Sequence, residues 1–242
     1  MARRLRTAPL VAQVLHNRGI DDPEAARAFM KPSLNDLHDP LLLGGAEAAA
    51  ERIARAVAAG ERIVIYGDYD VDGITAVAIL RACLAMLDAD VHYYVPHRLD
   101  EGYGVNVEAV RKIAAEGARL MITVDCGICA IEPLAEAAAL GMDVIVTDHH
   151  TPGASLPVAV AVVHPALPPG RYPNPNLAGA GVAFKLAWQI ARTICGESRV
   201  DERMRSFLLE AHVLAEQRAL YHRAGCSRAA RRGEYNAAME RT

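Results

Sequence analysis

Three short stretches concentrate the side chains that hold cations and move protons. Asp68-Tyr69-Asp70-Val71-Asp72-Gly73 carries carboxylates at alternate positions, Asp125 follows an apolar run, and Asp148-His149-His150 follows another. In extended backbone, alternate residues point to one side, so the first stretch offers a hard divalent cation three carboxylates at once. Carboxylates held that close repel one another, and a metal is the usual compensation. The competing reading is a turn that caps a following helix, with Asp72 as its N-cap. Calcium of the EF-hand kind is excluded, because the twelfth position counted from Asp68 is Ile79 rather than Glu. Adjacent histidines point apart in extended chain, so His149 and His150 divide into one metal ligand and one group facing substrate. Imidazole beside carboxylate suits manganese or another first-row ion. Asp125 alone reads either as a helix cap or as a ligand bridging two ions. Two metals about 3.5–4 Å apart are a device for in-line cleavage of phosphoesters.

These residues need a frame, and the rest of the chain supplies one. Arg62–Tyr66, Val91–Val95, Leu120–Val124, Val144–Thr147 and Val158–Val163 are short β-branched apolar runs that read as buried strands. Helices are expected over Glu47–Ala59, residues 74–87, Val107–Glu116, Ile131–Leu140, Gly181–Thr193 and Glu202–Tyr221, several closed by a glycine. Residues 7–30 read as helical in pieces, with Asp21-Asp22-Pro23-Glu24 opening a short helix. Five prolines between Pro165 and Pro175 mark an irregular loop. Strand–helix alternation predicts an α/β fold, a parallel sheet flanked by helices on both faces. In such sheets ligands bind beyond the carboxyl ends of the strands. Four strands run at that end into Asp68–Asp72, Asp125, Asp148–His150 and His164, so these side chains converge.

Composition narrows the function classes. The 242 residues are 52% hydrophobic and 23% charged, with mean hydropathy +0.10, which excludes disorder, collagen-like repeats and a small disulfide scaffold. No run of apolar residues is long enough for a membrane span, and the basic start lacks the apolar stretch of a secretory signal. An odd count of five cysteines fits a reduced, cytoplasmic setting. A net charge of −3 excludes binding nucleic acid by bulk positive charge, though not by a local groove. Several motifs carry little. Cys126-Gly127-Ile128-Cys129 is a single C-x-x-C without a second pair to complete a zinc knuckle. The run from Gly179 to Phe184 imitates a dinucleotide-binding fingerprint but follows a loop, which argues against a nicotinamide site. Backbone amides at Gly179 and Gly181, at the start of a helix, suit a substrate phosphate. The P-loop pattern is absent, and Trp188, mid-helix among apolar residues, reads as core.

Together, GDYDVDG (67–73), VDCG (124–127), VTDHH (146–150) and LAGAGVAFKL (177–186) resemble successive motifs of the DHH phosphoesterase superfamily. The likeness is strongest to its single-strand-specific DNA exonucleases, whose lead-in is similar to residues 17–43, and it covers roughly residues 10–210. It implies a manganese- or magnesium-dependent phosphodiesterase, with two ions in the complete site. Its substrate would be single-stranded DNA, digested from the 5′ end in recombination and repair. Carried over by motif, Asp70, Asp72, Asp125 and His149 take metal-ligand positions. Asp68 and Asp148 take acidic positions that ligate or orient. His150 takes the place at the scissile phosphate.

The resemblance also implies an organisation: a lead-in over 1–45, the phosphoesterase domain over 46–210, and a basic tail over 211–242. The superfamily's further metal-binding Asp is expected after Glu210, but no aspartate follows Asp201. The second domain and nucleic-acid-binding barrel are likewise missing, so the fold is expected to be incomplete at its C-terminus, from a truncated or frame-shifted coding region. Two other readings stay open: a catalytically impaired remnant that keeps the fold, and a small-nucleotide phosphoesterase. The tail, with six arginines against three glutamates from 211 to 242, is expected to be loosely ordered beyond its first turn or so.

Overall fold

Five strands, β1 (Ile63–Gly67), β2 (Val91–Tyr94), β3 (Leu120–Val124), β4 (Asp143–Thr147) and β5 (Ala161–Val163), pair side by side, all parallel, in the order β2-β1-β3-β4-β5. The computed structural model describes residues 1–31, 37–97, 102–168, 172–196 and 202–211. The sheet lies in the second of two compact units, Met1–Asp39 and Pro40–Thr242.

Each β1, β3 and β4 side chain is buried, apart from Asp143 at the start of β4. Strands covered on both faces read as continuous apolar runs, which is why their positions are legible in sequence. On one face Val64, Tyr66, Met121, Val144 and Val146 pack with α6 (Val107–Ala115) and α7 (Ile131–Ala139) through Val110, Ile113, Leu134 and Ala137. The opposite face carries α5 (Val71–Met86), α4 (Ala46–Ala59) and α8 (Gly179–Cys195), with α8 packed on both the others. Gly67 lets α5 sit close: a Cβ there would fall 2.2 Å from Val77 Cγ2. Arg52 of α4 ties the amino end of the sheet together, bonding Asp143 and Glu61 at 2.6 Å each. Gly44 forms a bridge with His164.

In the first unit, α1 (Ala2–Leu5), α2 (Pro9–Asn17) and α3 (Pro23–Met30) are short. Asp22 caps α3 through the Ala25 amide at 2.8 Å, with proline in the first turn as expected.

Several boundaries depart from expectation. Helix α5 starts at Val71 rather than residue 74, because Asp70 and not Asp72 caps it. Strand β5 is confined to Ala161–Val163, with Val158 and Val160 exposed ahead of it. Helix α8 begins at Gly179, two residues early. Residues 202–211 are helical, and the remainder of the helix expected to Tyr221, with the tail, lies outside the described residues. Trp188 is half-buried, packed on Phe184 with Lys185 Nζ 4.7 Å over its ring. Among the described residues, no helix is long and apolar enough to cross a membrane.

Candidate metal centre

The strand order changes direction between β1 and β3, and the crevice beyond their carboxyl ends is where an open parallel sheet binds ligands. Gly67 pairs with Val124, and Val124 with Thr147, so the three chains leave the sheet at one level. Asp68, Asp125 and Asp148 are the next residues along each.

After β1 the chain turns instead of staying extended. Asp68 is buried and accepts the Tyr69 amide at 2.7 Å. Asp70 Oδ1 accepts the Asp72 and Gly73 amides at 2.7 and 3.1 Å, closing the first turn of α5. Asp72 is buried and reaches across to α8, where its Oδ2 and Oδ1 accept the Gly179 and Ala180 amides at 3.0 and 2.8 Å. Capping is thus divided between two residues, Asp70 serving α5 and Asp72 serving α8.

Asp125 sits in the left-handed region, φ 59, an uncommon backbone for a residue with a side chain and one that clusters at functional sites. Its carboxylate is buried. Oδ1 lies 3.0 Å from His149 Nε2 but receives no aligned hydrogen bond, an exception among buried polar atoms. His149 Nε2 is also 3.7 Å from Asp72 Oδ2.

Asp148 is saturated with donors. Oδ1 accepts the His149 and His150 amides at 2.7 and 3.1 Å and pairs with His150 Nδ1 at 2.7 Å, while Oδ2 accepts the Ile128 amide at 3.0 Å. The chain wraps around this carboxylate, so the two imidazoles do not point apart as extended backbone would require. Their centroids are 4.5 Å apart at 53°, with His149 turned to Asp125 and His150 to Asp148. His164, buried at the end of β5, braces this turn. It accepts the Ala166 amide through Nδ1 at 3.1 Å, which leaves Nε2 to donate to the His150 carbonyl at 2.9 Å.

Electrostatics separates the groups. Burial pushes the Asp125 carboxyl up to about 7, against the pull of His149. Burial also raises Asp68. His149 is disfavoured as a cation by burial, yet Asp125 and Asp72 hold it above the ordinary imidazole value. His150 is pushed up to about 9 by its hydrogen bond to Asp148. For Asp148, burial works upward, and the His150 and Ile128 donors outweigh it to leave the carboxyl below its usual range.

Among the described residues, two groups have ligand atoms mutually within 4.8 Å: Asp68, Asp70 and Asp125, and Asp125, His149 and His150. They share Asp125, whose buried, undonated oxygen is what a cation would satisfy. The residues therefore fit a divalent metal, and a pair of them. Asp72 is in neither group, its oxygens being engaged by α8. The amide of Gly179, expected to meet a phosphate, faces Asp72 instead, and a Cβ on Gly181 would meet Leu177. Cys126 and Cys129 diverge: Cys126 Sγ is 3.8 Å from the Tyr66 carbonyl and Cys129 Sγ is 3.6 Å from that of Thr151.

The sequence reading missed Tyr103. Its ring stands edge-on to Tyr69 and His150, centroids 6.3 and 6.4 Å away, and is 60% exposed. Buried Tyr66 holds this loop by donating to the Gly104 carbonyl at 2.9 Å. A tyrosine between two glycines was visible, but nothing local tied it to residues far along the chain.

The model of the DHH family N-terminal domain matches residues 62–215. The chain belongs to the DHH family. Among its relatives is the single-stranded-DNA-specific exonuclease RecJ of Bacillus subtilis (strain 168), 47% identical over 187 residues, covering 77% of this chain and 24% of the relative. RecJ of Escherichia coli (strain K12) is 36% identical over 196 residues, 81% of this chain and 33% of the relative. The DHH-family chain thus spans about a quarter to a third of these relatives' length. A crystal structure of exonuclease RecJ bound to manganese matches at TM-score 0.60 and 47% identity, covering 65% of this chain and 40% of that one. RecJ from Thermus thermophilus in complex with Mn2+ matches at TM-score 0.63 and 37% identity, covering 80% and 26%. The same protein's complex with Mg2+ matches at 0.51 and 32%, covering 80% and 23%.

Proposed function

We propose that this chain is a manganese-dependent phosphodiesterase that degrades single-stranded DNA from an end, with magnesium as an alternative ion, in the service of recombination and repair. The observation that carries the reading is the pair of ligand groups joined at Asp125. Asp68, Asp70 and Asp125 would hold one ion, and Asp125 with His149 the other, with Asp72 beside them. A bound pair supplies Lewis-acid polarisation of a phosphoryl oxygen and activation of water near neutral pH.

The chain's own residues do the rest. Asp148 engages His150 Nδ1 and keeps the ring protonated, so Nε2 presents a proton to the charge developing on the phosphate. The family resemblance, rather than distance, supports His150 at the phosphate, since it also lies within reach of the second group. Exposed Tyr103 offers a face on which an unpaired base would stack, a contact open to single strands and closed to duplex. A cytoplasmic location goes with this reading. The DNA exonucleases among the relatives favour it over a small-nucleotide phosphoesterase.

The test is turnover of 5′- and 3′-labelled single-stranded oligonucleotides, a duplex and a cyclic dinucleotide, each with Mn2+ and with chelator. Mononucleotide release from the single strand, beginning at the 5′ end and lost with chelator or with Asp125→Asn, is the expected result. Turnover of the cyclic dinucleotide alone would move the chain to the small-nucleotide class. Failure on every substrate would overturn the proposal.

A further inference from the structure

Helix α8 is the element with no assigned part in the chemistry, yet its first turn touches two of the site's carboxylates. Asp72, 1% exposed, places one oxygen on the Gly179 amide and the other on the Ala180 amide, at 3.0 and 2.8 Å. These are amides that no α-helix satisfies internally, and they lie at the positive end of its dipole. Gly179 also packs directly on the second carboxylate. A Cβ built there would lie 2.5 Å from Asp125 Oδ1, 2.8 Å from Cγ and 2.9 Å from Cβ, closer than any real Cβ contact. The approach extends to Asp125 Cβ, so turning the carboxylate alone would not relieve it.

Resting on the metal reading above, we infer that Gly179 and Ala180 are positioning residues of the metal centre: they fix Asp72 with two amides and leave the space in which Asp125 stands. The G-A-G run is therefore a buttress for ligands and not a cradle for substrate phosphate. Two substitutions separate its two parts. Gly179→Ala keeps both amides and adds the forbidden Cβ. Ala180→Pro removes one amide from Asp72, in a helical first turn that tolerates proline, and adds no atom on the Gly179 face that meets Asp125.

Manganese affinity is measured by calorimetry on the unaltered chain and both variants, beside metal-free melting temperatures and the manganese dependence of oligonucleotide hydrolysis. Residues that orient metal ligands typically contribute about 10–100-fold in affinity. Gly179→Ala is expected to weaken manganese toward the upper end of that range and Ala180→Pro toward the lower. Raising manganese should restore hydrolysis in both, with KM for the oligonucleotide unchanged. If Gly179→Ala does not fold, Ala180→Pro decides by the same measurements. Both folded variants binding manganese as the unaltered chain does would overturn this inference alone. A raised KM with unchanged manganese affinity would return the run to phosphate binding. No manganese binding by the unaltered chain would overturn the metal reading, and this one with it.

Discussion

The exits of β1 and β4 solve the same problem in opposite ways. At the β1 exit, three aspartates in five residues share the work: Asp68 closes the turn, Asp70 caps α5 and Asp72 caps α8. Asp68 and Asp70 keep an oxygen within reach of Asp125, while both oxygens of Asp72 face α8. At the β4 exit a single aspartate, Asp148, takes three amides and the His150 ring, leaving the His149 ring to Asp125. The first exit spreads structural duty over three carboxylates; the second concentrates that duty in one. Damage at the β1 exit should therefore strike binding and fold together, and damage at the β4 exit should strike proton placement.

The largest effect is expected where the two exits meet. Asp125→Asn removes the group common to both ligand sets and should lower manganese-dependent hydrolysis by more than about 100-fold, exceeding what an orienting residue contributes. The metal-free protein should melt higher. A carboxyl raised by burial to about 7 is charged at a cost above that pH, and the amide is not. A lower melting temperature would show that the pair with His149 outweighs the burial.

Asp148→Asn comes next, with a loss of about 10–100-fold in hydrolysis and little change in manganese affinity. NMR titration should show the His150 midpoint falling from about 9 toward the ordinary 6.5. Because His150 is raised on folding, its contribution to metal-free stability is complete below about 6.5 and fades as pH climbs through about 9. Melting temperature should fall across that window in the unaltered chain and stay flat there in the variant. Equal loss of manganese binding would erase the distinction between the exits.

A smaller effect is the acid sensitivity of the metal itself. Protons compete for Asp125 and for His149, both held above their ordinary values, so manganese affinity should decline as pH falls through about 7. A pH-independent affinity would place the ion elsewhere. Smallest should be His164→Ala, which removes the donor to the His150 carbonyl and should cost hydrolysis only several-fold. A loss as deep as that of Asp148→Asn would make the brace part of proton placement.

The sheet was legible because β1, β3 and β4 are buried on both faces and so are continuously apolar. So was the convergence of Asp68, Asp125 and the histidine pair, which follows from parallel register alone. What stayed hidden depends on contacts distant in sequence. That Asp70 rather than Asp72 caps α5 is settled by Asp72 having amides of α8 to serve, 107 and 108 residues away. The divergence expected of His149 and His150 failed because Asp148 bends the chain around its own carboxylate. Tyr103 required a loop position that periodicity does not report.

The left-handed backbone at Asp125 narrows how this protein can change over generations. Aspartate and asparagine adopt that conformation with little strain, whereas glutamate, the other carboxylate able to serve a metal there, fits it less readily. The replacement that the fold tolerates best is thus the one that silences the chemistry. If the proposed hydrolysis is the selected activity, a lineage released from that selection could drift to asparagine at this position and keep its sheet and its helices. Structure alone would not betray the loss; the identity of this one side chain would.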